Sequence, residues 1–121
     1  MEVPSQAVRT LLELGMASVG SGAYKEALNI FMGLDAVRPG SEGPMIGMAL
    51  MHMNMKAPDE AVKILREGVL SRHPDSLEAK MILAVALKVA GRTSECDTVV
   101  KELSGSGNAQ AKRFADTFSA R

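Results

Sequence analysis

Gly22-Ala-Tyr-Lys-Glu-Ala27 is the first of three versions of one six-residue pattern, followed by Lys56-Ala-Pro-Asp-Glu-Ala61 and Gly91-Arg-Thr-Ser-Glu-Cys96. Each version ends in Glu followed by a small residue. The small residues stand at positions 27, 61 and 96, so they are 34 and then 35 residues apart. Self-similarity at a fixed period of this length is typical of proteins built from stacked structural repeats.

The residues around the first motif extend the pattern. Three residues that pack helices together precede it, namely Leu11, Leu14 and Gly15, and Phe31, Leu34 and Pro39 follow it. This arrangement and the period of about 34 residues resemble the tetratricopeptide repeat, in which each unit is a pair of helices. The second and third copies depart from that pattern at Lys56, Pro58, Thr93 and Cys96.

The resemblance covers roughly residues 7 to 107 and implies an all-α fold. We expect a helical-hairpin solenoid of three repeats, at about 7–41, 42–75 and 76–107, within a single domain of residues 1–121. Apolar periodicity predicts helices over 5–20, 24–37, 43–55, 58–71, 76–90 and 93–104. A last helix, 108–119, places apolar residues at i, i+3, i+4 and i+7, and is predicted to cap the array through Ala111, Phe114, Ala115 and Phe118.

Composition narrows the functional class. Aromatic residues are only 3% of the chain, which favours helices over a β-sandwich or barrel. The formal net charge is zero, so we expect neither a nucleic-acid nor an anionic-membrane partner. The N-terminal residues lack a secretory-signal pattern and no long apolar run is present, so we expect a soluble, cytoplasmic protein without membrane insertion.

The first helix of each pair lines the concave surface of a tetratricopeptide array. In that register eight of nine positions are apolar, and Lys88 is the exception. The predicted partner-binding groove therefore consists of Leu12, Met16, Val19, Ile46, Leu50, Met53, Met81 and Val85. A surface of this kind fits an amphipathic helix of a protein partner, and a second copy of the chain would explain the same pattern.

Methionine is concentrated in the middle of the chain. Five of the nine methionines fall between positions 45 and 55. Because methionine is flexible and polarizable, it is favoured on surfaces that accept varied apolar partners. At helical spacing it is more often a core residue, and we assign Met48 and Met55 to the core on that ground.

The residues that could carry chemistry form no catalytic pattern. His52 and His73 have no partner at metal-ligand spacing, and they are interpreted as structural histidines. Cys96, the only cysteine, stands at a small-residue packing position, which indicates a buried filler. The glutamates at 13, 26, 60, 67 and 95 are interpreted as solvating helix surfaces. We therefore predict no enzyme, no metal and no cofactor.

Two further stretches carry a more specific resemblance. The first runs from Val8-Arg-Thr-Leu-Leu-Glu-Leu14 through the first motif to Leu34-Asp-Ala-Val-Arg-Pro39, and the second is Glu102-Leu-Ser-Gly-Ser-Gly-Asn-Ala-Gln-Ala-Lys112. Both resemble the small tetratricopeptide-like proteins of bacterial type III secretion systems, of the Hrp type or the needle-subunit chaperones. The resemblance implies a cytoplasmic chaperone that holds an aggregation-prone helical client, a needle subunit, with a co-chaperone or as a homodimer. The alternative is a generic scaffold, adaptor or self-associating structural protein.

Overall fold

The protein is described by a computed structural model that covers residues 4–119. Within this range the chain is all-helical, as predicted. Residues 1–3, which belong to the N-terminal stretch without a secretory-signal pattern, lie outside the described part. The elements are α1 (Ser5–Gly20), α2 (Tyr24–Val37), α3 (Glu42–Asn54), α4 (Pro58–Lys63), a π-helical segment (Ile64–Leu70), α5 (Leu77–Val89), α6 (Thr93–Ser104) and α7 (Ala109–Ser119).

The helices pack in sequence order, and they form two layers. Each helix lies against the next one along the chain, and the odd-numbered helices also contact one another, α1 with α3, α3 with α5 and α5 with α7. Within the described residues, the backbones of α2 and α4, or of α4 and α6, make no close approach. The odd-numbered helices are therefore closer to one another than the even-numbered helices are.

Three turns share one hydrogen-bond pattern. After α1, the amide of Gly22 donates to the Val19 carbonyl, and the amide of Ala23 donates to the Ser18 carbonyl. The same two bonds follow α3, from Lys56 and Ala57, and they follow α5, from Gly91 and Arg92. Gly22, Lys56 and Gly91 all have positive φ, as this type of helix end requires. The first position of the sequence motif is thus a helix-terminating turn in all three copies.

The small residues of the motif are core residues. Ala27 and Ala61 are fully buried, and Cys96 is buried with them. The positions before the turns behave alike, because Gly15 is buried on α1 and Ala49 is fully buried on α3. Small side chains allow neighbouring helices to approach closely. The spacing of the motif therefore indicates where one helix packs closely against another.

The predicted helix 58–71 differs in detail from the structure. Its first half is α4, but its second half is the π-helical segment, whose wider turn carries Gly68 opposite Met45 of α3. A β-carbon at position 68 would overlap the Met45 side chain. The π-helical segment therefore lies where the Met45 side chain of α3 packs against Gly68, which has no side chain.

The final helix, α7, packs on α6 and α5. It buries Ala111 and Ala115, and its Phe114 and Phe118 rings stack with their centroids 5.2 Å apart. The Asn108 side chain accepts a hydrogen bond from the Ala111 amide at 2.9 Å, which stabilises the first turn. None of the helices in residues 4–119 combines the length and apolarity needed to cross a membrane.

Three predictions of burial are wrong. Leu11 and Leu14, assigned to helix packing, are 40% and 54% exposed, because no described element lies against that side of α1. Met55, assigned to the core, is also exposed, since it lies beyond the last turn of α3. Met48 is partly buried and packs against Phe31 and its neighbours.

Candidate partner-binding surface

Apolar side chains line the three odd-numbered helices α1, α3 and α5. Six of the eight predicted groove residues are partly buried, and we call this set the odd-helix face: Leu12, Met16, Leu50, Met53, Met81 and Val85. Five of the six have their inner atoms packed on the core, and all six retain some exposed surface. The three helices bring these residues together because α3 contacts both α1 and α5.

The other two predicted groove residues belong to the core. Val19 is 6% exposed and Ile46 is 2% exposed, so neither presents a side chain to a partner. Val19 packs with Phe31 and Met51, and Ile46 lies in the main core cluster. Neighbouring odd-numbered helices approach so closely that these positions are covered, and the assignment of both residues to the groove is corrected.

Leu12 shows how closely α1 and α3 approach. A β-carbon on Gly43 of α3 would lie 2.8 Å from the Leu12 Cδ2 atom, so the absence of a side chain at Gly43 makes room for Leu12. At the other end of the same helices, the Asn54 amide group donates to the Val19 carbonyl at 3.0 Å. These two contacts hold α1 and α3 in place along their length.

Val89 adds an exposed apolar residue that sequence reasoning missed. It lies four residues after Val85 on α5, and it is 63% exposed. Residues four apart share one side of a helix, so Val89 extends the odd-helix face toward the end of α5. The i, i+4 spacing from Val85 was the available signal. The adjacent Lys88 places its ammonium 4.7 Å from the centre of the Phe118 ring.

Charged side chains form a cluster on the opposite, even-numbered layer. Glu95 accepts hydrogen bonds from Arg92 at 2.6 Å and from Arg66 at 2.7 Å, and Arg92 also pairs with Asp59 at 3.1 Å. The hydrogen bonds from Arg92 and Arg66 lower the pKa of Glu95 from 4.5 to about 2. Glu95 therefore links α6 to the π-helical segment, and its interpretation as a simple solvating residue is wrong.

The histidines are satisfied by backbone carbonyls. His52 Nδ1 lies 2.8 Å from the Met48 carbonyl within α3, and His73 Nε2 lies 2.8 Å from the Gly40 carbonyl. Each contact requires the named nitrogen to carry the proton and donate it. The second bond joins the loop after α2 to the loop before α5. Both residues thus have the structural roles that the sequence predicts.

Cys96 has the environment of a packed side chain. It lies beside a shallow pocket of about 290 Å³ that Lys88, Asp97 and Phe118 help to line. Its thiol nevertheless points inward and donates to the Ala84 carbonyl at 3.4 Å, and burial raises the pKa of the thiol. A buried thiol with a raised pKa is a poor nucleophile. Residues 4–119 also contain no group of three or more metal-ligating side chains.

No protein-family model matches the chain, and no curated protein matches it.

Proposed function

We propose that this protein is a tetratricopeptide-like array that binds an amphipathic helix of another protein along its odd-helix face. The observation that carries the proposal is the row of six partly buried apolar side chains on three adjacent helices. The three matching turns at Gly22, Lys56 and Gly91 support a division into three helical-hairpin repeats, with α7 as the cap.

The mechanism rests on burial of apolar surface. A client helix that lies across α1, α3 and α5 removes its own apolar face and the odd-helix face from water. The binding free energy gains about 25 cal/mol for each Å² of apolar area that is buried. Three of the six residues are methionines, whose flexible side chains adjust to the shape of the client. An apolar helix face that is buried in this way is unavailable for polymerisation of the client.

The resemblance to type III secretion proteins supplies the biological setting of the proposal. The client is a secreted helical subunit, of the kind that forms the needle, and the protein holds it in the cytoplasm before export. A co-chaperone is compatible with this role because the even-numbered helices stay accessible. The proposal includes no catalytic step, metal or cofactor.

Binding of a labelled amphipathic peptide from a needle subunit, followed by fluorescence anisotropy, tests the proposal. The double variant Leu50→Asp, Met53→Asp places two charges in the odd-helix face and is expected to abolish binding. Met32→Asp is the matched control, because Met32 is exposed on α2, away from this face. Circular dichroism reports whether each variant keeps its helices.

A milder variant separates loss of binding from loss of folding. Replacing the three methionines of the face with glutamine, as Met16→Gln, Met53→Gln and Met81→Gln, conserves side-chain length and removes apolar character. We expect weaker binding by about tenfold or more, which corresponds to about 1.4 kcal/mol. If a folded variant of either type binds the peptide as the wild type does, the odd-helix face is not the binding surface.

A further inference from the structure

A second apolar surface lies on the first helix pair, on the side away from α3. Leu11, Ile30 and Val37 line a shallow pocket of about 310 Å³ between α1 and α2, and Leu14 lies one turn further along α1. We call these four residues the N-terminal face. Leu14 is 54% exposed, and no described element covers it. Large apolar side chains grouped in this way mark interaction surfaces.

The later helix pairs cover the same position. Met48 stands 34 residues after Leu14 and packs against the cluster around Phe31 on the preceding pair. Leu83, 35 residues further on, is buried in the main core. The position occupied by Leu14 is therefore one at which this fold places a helix–helix contact, and on α1 that contact is open.

The opposite end of the array is closed. α7 packs on α5 and α6 with its buried alanines and stacked phenylalanines, so the last helix pair presents no matching open surface. A second copy cannot stack head to tail without displacing α7. The remaining symmetric arrangement is face to face about a two-fold axis, in which the same surface is used by both copies.

The exposed side of α1 has a pattern that suits this symmetry. Five uncharged residues lie on it, spaced symmetrically about the central leucine: Thr10, Leu11, Leu14, Ala17 and Ser18. In an antiparallel pair with the axis at Leu14, Leu11 of one copy faces Ala17 of the other, and Thr10 faces Ser18. Leu11 thus meets the smaller Ala17 on either side of the central Leu14 pair, and a large residue opposite a small one lets helices interdigitate.

Polar groups do not oppose this contact. At about 100° per residue, Arg9 and Glu13 project about 140° and about 100° around α1 from Leu14, so both charges lie at or beyond the edge of the strip and stay in water. The Ser18 hydroxyl already donates to the Leu14 carbonyl at 2.9 Å, and its hydrogen-bonding capacity is used within its own helix. Desolvation of this strip therefore costs little.

We propose that the protein forms a homodimer through the N-terminal face, with antiparallel α1 helices crossing at Leu14. At about 1.5 Å per residue and about 10 Å width per helix, α1 and α2 offer a footprint of roughly 500 Å² per copy. The total of roughly 1,000 Å² is at the lower limit for a specific interface, so the dimer dissociates on dilution. The contact is separate from the odd-helix face.

Sedimentation velocity on the full chain tests the dimer. The wild type is expected to shift from monomer to dimer as its concentration rises from about 1 μM to about 1 mM, the range of weak interfaces. Leu14→Glu is expected to stay monomeric throughout. Val89→Glu is the matched control, because Val89 is at least as exposed as Leu14 but lies on α5, and it is expected to dimerise normally.

Disulfide trapping tests the position of the axis. In a Cys96→Ala background, which copies the alanines at positions 27 and 61, Leu14→Cys is expected to form a disulfide-linked dimer readily. Val89→Cys, which is at least as exposed as Leu14 but lies on α5, is expected not to do so. A wild type that is monomeric at every concentration, a folded Leu14→Glu variant that still dimerises, or equal trapping of both cysteines would overturn the proposal. Leu14→Glu leaves the odd-helix face intact, so peptide binding by that variant tests the two proposals separately.

Discussion

The ring of Phe31 on α2 lies so close to Gly47 on α3 that a β-carbon at position 47 would overlap it. The same ring is limited by α1, where a β-carbon on Gly15 would lie 2.6 Å from Cε1. Phe31 is fully buried, so it cannot move aside into solvent. One aromatic ring and two glycines thus determine the distances between the first three helices.

Gly47→Ala is therefore expected to destabilise the protein. Overpacking of a rigid core commonly costs about 1–3 kcal/mol, and we expect the free energy of unfolding to fall by that amount in urea titrations. Gly33→Ala is the matched control on α2, where an added β-carbon meets no atom within 4 Å. It should raise the free energy of unfolding by about 0.5–1 kcal/mol, because alanine favours a helix over glycine. A neutral Gly47→Ala variant would contradict the close packing.

Among the residues that the structure describes, Lys56 is the one non-glycine residue with a positive φ, which is 62°. Gly22 and Gly91 occupy the same place in the other two turns. A left-handed conformation costs a residue with a β-carbon about 1–2 kcal/mol, while the greater freedom of glycine in the unfolded chain offsets part of the gain. Lys56→Gly is therefore expected to raise the free energy of unfolding by about 0.5–1 kcal/mol.

The reverse change at the matching turn is the control for this prediction. Gly91 has a φ of 77°, and a β-carbon there meets open space, so Gly91→Ala isolates the backbone effect. It is expected to lower the free energy of unfolding by about 1 kcal/mol, measured by the same urea titration. The explanation fails if Lys56→Gly is less stable than the wild type.

Much of the fold could be predicted from the motif spacing. The positions of Ala27, Ala61 and Cys96 predicted buried small residues, and all three are in the core. The turn residues Gly22 and Gly91 indicated where helices end, because glycine accepts the conformation that such a turn needs. Helix boundaries follow from these features to within about two residues, with the π-helical segment as the main departure.

The surface was harder to predict, because periodicity gives the direction of a side chain but not the distance to the next helix. Val19 and Ile46 point toward the odd-helix side, yet closely spaced neighbours cover them. Leu14 has the spacing of a packing residue, yet nothing described packs on it. The Arg66–Glu95 pair joins residues 29 positions apart, and only the tertiary packing brings them together.

Phe118 helps to hold the last helix in place, because it packs against the main core cluster and contacts Lys88 of α5. The Phe118 ring stacks on Phe114. The Lys88 ammonium lies over the Phe118 ring, 4.7 Å from the ring centre. Phe118→Ala removes both contacts, and since the ring is only partly buried we expect a loss of about 1–3 kcal/mol in the free energy of unfolding. Lys88→Gln removes only the cation and is expected to cost about 0.5–1 kcal/mol. Equal stability of Phe118→Ala and the wild type would show that α7 is held by its alanines alone.

Glu95 makes the stability of the protein depend on pH in acid. Its pKa is about 2 in the folded protein and 4.5 ordinarily, so the folded state favours the carboxylate. The stabilisation is complete above about pH 4.5 and is lost as the pH falls toward 2, where the folded protein also binds the proton. The melting temperature of the wild type should therefore exceed that of Glu95→Gln at pH 7, and the difference should disappear by about pH 2.

Glu60→Gln is the matched control, because Glu60 occupies the same motif position without an ion pair among the described residues. A difference between wild type and Glu95→Gln that stays constant from pH 7 to pH 2 would mean that the two arginines do not stabilise the carboxylate in solution.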